Sequence, residues 1–376
     1  MDMNQLDVAV LPVLRSQAGM SMRLYVSELF ESLAATPGID ARVAWPPFAE
    51  REVRGRLAQR WVRNVLYVRW ARSVEAELFH ISDHANAQLL RALPARRTVI
   101  TCHDLFPVAV SSGQLRYPGA PSRAAMLPTT LRLRPIRRAA AVVAISEHTR
   151  AECREYFGVS PRRLFIGYHG IAERIRSAPS REALAEFRAR HRFDSSAIHV
   201  LHVGSNDSRK NLPGVFRVVA ALRQHTGRDV RLLKAGDPFG PAEQRALTSI
   251  GMADRVSVFA GISSGELALL YRASDVLLYP SYHEGFCRPV AEAMASGLPV
   301  VASDRGAIPE VVQRTAPLFA PDDVEGMARE IAKLLESRDL RAERAERGQF
   351  AAQKFTWRAH AEAVAEAYRS VVPRWI

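Results

Sequence analysis

Short apolar runs rich in β-branched residues alternate along this chain with longer amphipathic stretches. "LDVAVLPVL" precedes the helical "MSMRLYVSELFESLAA", and "DARVAW", "ELFHIS", "RTVITCHD" and "AAAVVAIS" follow, each a buried-strand candidate with helical sequence behind it. After "FIGYHG" a second series begins: "IHVLHVG", "DVRLLKAG", "RVSVFAG", "DVLLYPS" and "LPVVAS". Unbroken apolar strands separated by helices predict parallel sheets covered on both faces. Two such series predict two doubly wound domains, residues 1–170 and 171–356. The polar, Arg-rich stretch near 171–196 reads as the connection, and "TWRAHAEAVAEAYRSVV" as a closing helix. Low-complexity segments and short repeats are absent, which argues against a solenoid.

Length and composition agree with this picture, since 376 residues, 48% of them hydrophobic, suffice for two cores. No apolar run approaches the roughly 20 residues that span a bilayer. The start, "MDMNQLDVAVLPVLRS", lacks the basic flank and cleavage site of a secretory signal, so a cytosolic protein is expected. Cys102, Cys153 and Cys287 are far apart, without metal-ligand spacing, and read as free thiols.

Charge changes the picture more. The net charge is +13, and residues 1–170 hold 23 Arg against 14 Asp and Glu. "REVRGRLAQRWVRNVLYVRWARS", Arg51 to Ser73, interleaves seven Arg with Trp61, Tyr67 and Trp70. That pattern suits an anionic membrane surface or an acidic acceptor; nucleic acid would read similarly, and a solvated basic face is the plain alternative. All but four of the 52 basic residues are Arg, so Lys210, Lys234, Lys333 and Lys354 stand out.

In doubly wound sheets, ligands sit beyond the carboxyl ends of the strands, where helix N-termini offer free N–H groups. The stretch "PSYHEGFCRPVAEAMASGLPVVAS" reads as the exit of a strand, a loop, and a helix with Pro289 in its first turn and Gly297 past its end. Glu284 falls in the loop and Glu292 about one turn into the helix, with Gly285 between them. Carboxylates placed there accept hydroxyl hydrogens on either side of a phosphate, which describes a nucleotide diphosphate sugar. A capping carboxylate plus a solvated helix residue is the plain alternative for the pair.

These residues, with "SGLPVVASDRGAIPEVV" and "FAPDDVEGMAREIAKLL" downstream, resemble the donor site of the retaining nucleotide-sugar glycosyltransferases of family 4. The resemblance extends through "LHVGSNDSRKNLPGVFRVVAAL" and "ISSGELALLYRASDVLLYPS", and more loosely to "TCHDLFP" and "AISEHTR". It implies the GT-B fold, an α/β architecture of two Rossmann-like domains facing a central cleft, with the helix of 357–376 crossing back to the first, acceptor-side domain. Arg209 and Lys210 would then sit on the donor diphosphate, Glu284 on hydroxyls of the transferred sugar and Glu292 on those of the ribose. Backbone groups of Gly285, Phe286 and Cys287 would hold phosphate. Gly204 ends the strand before Arg209 and Lys210, and the turn at Gly261 and Ile262 would bond the base. From the first domain, Gly19 would approach the phosphates, His103 resembles the active-site histidine, and Ser146 starts a helix, as a ligand contact or as an N-cap. The glycine loop is reduced here to "QAGMS", and Cys287-Arg288 replaces a small and apolar pair. Arg288 reads either as a recogniser of an acidic group or as a surface residue.

The resemblance implies hexosyl transfer with retained configuration, the leaving phosphate oxygen helping to deprotonate the acceptor hydroxyl. It requires neither a protein nucleophile nor a metal, and the chain has no DxD triplet. The resemblance puts mannose carried by GDP first among donors, with UDP-sugars next, and a lipid-linked glycan of envelope or exopolysaccharide synthesis as acceptor, reached from the cytoplasmic face of the membrane. A sugar-nucleotide epimerase and a non-catalytic nucleotide-sugar-binding protein remain as alternatives. A dehydrogenase is disfavoured because no GxGxxG follows the first strand.

Overall fold

A computed structural model describes residues 5–14, 20–48, 53 and 55–372. The chain divides into two units: Met1–Arg116, Pro121–Gly170 and Thr356–Ile376 form the first, and Tyr117–Ala120 with Ile171–Phe355 the second.

The first unit carries β1 (Leu6–Leu11), β2 (Ile39–Val43), β3 (Leu78–Ile81), β4 (Thr98–Cys102), β5 (Ala141–Ala144) and β6 (Leu164–Ile166). They form one parallel sheet in the order β2-β1-β3-β4-β5-β6. All residues of β3, β4 and β5 are buried, as expected of parallel strands covered on both faces. Side chains on the two faces belong to separate cores. One contains Ala9, Leu11, Phe79 and Ile100. The other contains Val8, Val10 and Val143, covered by Trp357, Ala361, Val364 and Tyr368 of the helix Trp357–Val371. The basic stretch of the sequence is helical here, as Arg56–Trp61, a π-helical turn Val62–Leu66, and Tyr67–Ala71.

The second unit holds β7 (Ile198–Gly204), β8 (Val230–Gly236), β9 (Val256–Phe259), β10 (Val276–Tyr279), β11 (Val300–Ser303) and β12 (Leu318–Phe319). Their order is β12-β11-β10-β7-β8-β9, all parallel. The order reverses between β7 and β10, so the connections leaving these two strands turn opposite ways and leave a crevice at their carboxyl ends. The sequence expectation of two doubly wound α/β sheets is met. Two strands went unread, β6 and β12, which have only three and two residues. The stretch expected as a connection is instead mostly helical, as Glu173–Arg176 and Arg181–Arg190, with Phe187 buried. Where the chain enters and leaves this unit, the Ile171 N–H donates to the Phe355 carbonyl at 2.9 Å.

Candidate functional site

Lys210 and Glu284 come from the connections that leave β7 and β10, the two strands flanking the reversal. After β7 the chain makes a single helical turn, Ser208–Lys210, and Asn211 takes a left-handed conformation, φ 54°. Asn211 is buried because its side chain is fully used. Oδ1 accepts from the Gly214 N–H at 3.0 Å, capping the helix Leu212–Thr226, and Nδ2 donates to the carbonyls of Pro280 and Pro321. This brings Lys210 over the β10 exit. Its Nζ lies 2.6 Å from Glu284 Oε1 and 3.0 Å from the Tyr279 hydroxyl. Ser281 Oγ donates to the same carboxylate oxygen at 2.7 Å. Both partners are largely buried, with side-chain exposures of 14% and 10%. Burial, followed by the Glu284 carboxylate, pushes the Tyr279 hydroxyl well up, so it stays protonated.

Two glycines permit this arrangement. A Cβ on Gly306, φ +57°, would lie 2.4 Å from the Glu284 carbonyl oxygen, and the next N–H, of Ala307, donates to that oxygen at 2.9 Å. A Cβ on Gly236, φ +127°, would lie 2.1 Å from the Gly204 carbonyl oxygen. That carbonyl also accepts from Lys234 Nζ at 2.6 Å. Lys234 is wholly enclosed, and burial pulls its ammonium down to about 8. Arg209, the other cation expected here, pairs with Asp207 at 3.3 Å, while its carbonyl accepts from the Tyr282 N–H.

The second carboxylate is equally engaged. Glu292 is buried on the helix Arg288–Ala295, where Tyr271 donates to Oε2 at 2.9 Å and Arg288 Nη2 to Oε1 at 3.0 Å. Arg288 is therefore the partner of Glu292 one turn away rather than a surface residue, and the plain alternative of a solvated helix residue fails for Glu292. Pro289 occupies the first turn and Gly297 follows the helix with φ 75°. Cys287 precedes this helix in a left-handed conformation, φ 74°, and no side chain caps the helix start. The Cys287 thiol is buried and raised by that burial, and the Phe286 ring packs on Phe355 at 5.2 Å. Around Gly285, the backbone is thus what this loop presents. Gly261 and Ile262 follow β9 on the same sheet edge, two strands from β7.

In the first unit, His103 directly follows β4 and is buried. Its Nε2 lies 2.9 Å from the Ser82 carbonyl, which can only accept, so Nε2 carries the proton and Nδ1 accepts from His169 Nε2 at 3.2 Å. Burial lowers His103, which keeps it neutral at pH 7. The His103 backbone N–H lies 3.2 Å from His84 Nδ1. Burial pulls His84 down, but Asp83, 3.0 Å away, more than offsets this and leaves His84 raised. Behind it lie Tyr25, bonded to Thr101 and to His360 Nε2 at 3.1 Å each, and His80, bonded to Thr101 at 2.8 Å and Tyr368 at 2.7 Å. Ser146 is fully buried and caps the helix Glu147–Phe157 through the Thr149 N–H at 2.9 Å. Gly19 lies outside the described residues.

Chemically, the second unit joins a buried carboxylate, able to accept hydroxyl hydrogens, to ammonium and guanidinium groups able to neutralise an anion, at the start of a helix. Tyr279, Ser281, Gly306, Asn211 and Tyr271 were not read as parts of it. Arg288 could have been, since it stands four residues before Glu292 on a helix.

The family model of glycosyl transferases group 1 matches residues 185–350, and that of glycosyltransferase family 4 matches residues 16–174. An MMP alpha-(1->4)-mannosyltransferase of Mycolicibacterium hassiacum is 30% identical over 238 residues, 62% of this chain and 54% of that protein. O-antigen chain mannosyltransferase B of Escherichia coli is 29% identical over 163 residues, 42% of each. The chain spans about half the length of these curated relatives. Among solved structures, sucrose-phosphate synthase from Thermosynechococcus elongatus matches with a TM-score of 0.76 at 23% identity, covering 98% of this chain and 99% of that one. Anabaena HepE in complex with UDP and glucose matches with a TM-score of 0.75 at 19% identity, covering 97% and 100%. One glycosyltransferase family model thus matches each half of the chain, and both units have the doubly wound sheets of GT-B structures.

Proposed function

We propose that the protein is a retaining hexosyltransferase that moves a sugar, mannose first among candidates, from a nucleoside diphosphate to a hydroxyl of a glycan acceptor. The observation that carries this reading is the buried Lys210–Glu284 pair beyond the reversal of strand order. Lys210 and Arg209 would neutralise the charge that grows on the departing diphosphate, and Glu284 would hold hydroxyls of the sugar. Glu292 would hold the ribose, the backbone of Gly285 to Cys287 the phosphate, and the turn at Gly261 and Ile262 the base. The leaving phosphate oxygen would take the acceptor proton on the same face of the sugar, with no metal ion. Relatives named as mannosyltransferases favour mannose, and a structural neighbour solved with UDP and glucose favours a nucleoside diphosphate donor. A lipid-linked acceptor in surface polysaccharide synthesis, met at an anionic membrane surface, fits the basic first unit; no helix among the described residues is long and apolar enough to cross a membrane.

Melting curves against a panel of GDP- and UDP-sugars test the donor. A ligand at 100 times its dissociation constant stabilises by about 2.7 kcal/mol, a shift easily read. Release of nucleoside diphosphate should then depend on added acceptor. If no nucleotide sugar shifts the melting curve or is turned over, the reading is wrong.

A further inference from the structure

Within the first unit, the helical run 56–71, the turns His84–Arg91 and the helix Arg123–Leu133 enclose a cavity of about 630 Å³, the size of a small-molecule site. Four guanidinium groups line it, from Arg60, Arg63, Arg91 and Arg132, beside Asn64 and Thr129. Arg63 and Asn64 sit on the π-helical turn, a distortion frequent at functional sites. Among the described residues, none of the four arginines joins a salt bridge, and the Nε atoms of Arg63 and Arg132 are buried without a hydrogen-bond partner. Burial and then the Arg63 charge pull Arg132 down to about 10, and burial and then Arg60 lower Arg63. A second cavity adjoins, sharing Arg91 and Leu131 and adding Arg134, Arg137 and Arg138.

A merely solvated basic face would turn its charges outward and apart. Here like charges from three elements converge on a concavity and lose part of their hydration, an arrangement that a bound anion relieves. Guanidinium forks match the oxygens of phosphate, and four of them exceed what a single carboxylate can accept. The enclosing helices also expose large apolar side chains: Leu57 (81%), Trp61 (55%), Val65 (46%), Leu127 (50%) and Leu131 (42%). We propose that this cavity binds a phosphate or diphosphate group, and that these exposed side chains receive the apolar part of the molecule that carries it. Use of the site to hold the acceptor rests on the glycosyl-transfer reading; the binding itself does not.

The test is titration of the full chain with inorganic pyrophosphate at low salt, beside sedimentation with phosphatidylcholine vesicles with and without phosphatidic acid. Arg60→Gln/Arg91→Gln changes two exposed residues and should stay folded, as melting curves will show. It should weaken pyrophosphate or phosphatidic acid vesicle binding by about tenfold or more, as expected for lost charge-assisted contacts. Lys210→Gln removes a diphosphate contact proposed for the second unit, so the arginine change is also read in that background, where the binding that remains should fall by the same factor. Pyrophosphate binding without vesicle binding assigns a soluble phosphorylated ligand; vesicle binding that also needs Leu57 and Trp61 assigns a lipid headgroup. Absence of both, or binding lost with Lys210 and kept in the arginine variant, overturns the proposal. So does binding to single-stranded oligonucleotides that pyrophosphate fails to displace.

Discussion

The Lys210 ammonium lies 2.6 Å from Glu284 Oε1, joining residues 74 positions apart on connections from neighbouring strands. Each charge is the other's principal compensation in a buried place. A change at either residue therefore acts on stability as well as on chemistry.

Glu284→Gln keeps an acceptor for Lys210 and Ser281 but removes the charge. We expect a stability loss of about 1–3 kcal/mol, with kcat and kcat/KM falling together by about 10² or more. Steady-state kinetics at a temperature where melting curves show both proteins folded make the separation. Activity lost only in proportion to stability would reduce Glu284 to a structural partner.

Glu292 should behave differently, because ribose is unchanged by the transfer and its contacts are uniform binding. Glu292→Gln should raise the donor KM and the dissociation constant of the free nucleoside diphosphate, with kcat nearly kept. Nucleotide affinity that stays untouched would show that Glu292 serves only Tyr271 and Arg288.

Gly306→Ala places a methyl group 2.4 Å from the Glu284 carbonyl oxygen at a backbone φ of +57°. Such strain costs on the order of 1–3 kcal/mol. The loop must shift, so kcat should fall more than nucleotide affinity does. Equal retention of both would mean that the loop adapts freely.

Turnover should survive exhaustive chelation, since cations of the chain are proposed to neutralise the diphosphate. Activity abolished by a chelator and restored by a divalent ion would refute that division of labour.

Acid should weaken the first unit. Burial first, then neighbouring imidazoles, lower His80 to about 3, and burial first lowers His360 to about 4. Their ordinary value is near 6.5. The unfolded chain thus binds protons that the folded one refuses, so this stability is complete above about pH 6.5 and drains as pH falls toward 4. His103, also lowered, acts in the same direction, while the raised His84 opposes it. Each of the lowered groups contributes up to about 1.4 kcal/mol per pH unit. The melting temperature should drop between about pH 7 and pH 4, less steeply in His360→Gln. A flat profile, or an unchanged slope in the variant, would contradict the assignment.

Strands were legible in this sequence wherever they exceeded three residues, which is why β7 could be read from "IHVLHVG" while β6 and β12 could not. Lys210, Glu284 and Glu292 were legible as motif members, but their partners were not. Pairing Lys210 with Glu284 requires knowing that β7 neighbours β10, and strand order leaves no periodic trace along a chain. The histidine cluster is harder still. It draws on β3, on the residues after β4 and on a helix more than 300 positions from Tyr25, so each histidine taken singly looks like any other buried ring.

The helix Trp357–Val371 covers Val8, Val10 and Val143 of the first sheet, although the whole of Ile171–Phe355 separates it from β6. During synthesis the second unit therefore has nearly all its sequence outside the ribosome, and can close its sheet, while one face of the first still lacks its cover. At about 5–20 residues per second, that interval lasts on the order of ten seconds or more. Through it, Tyr25 and His80 wait for His360 and Tyr368, and an apolar sheet face stays open to chaperones or to aggregation. The half of the chain made first is the half whose fold is completed last.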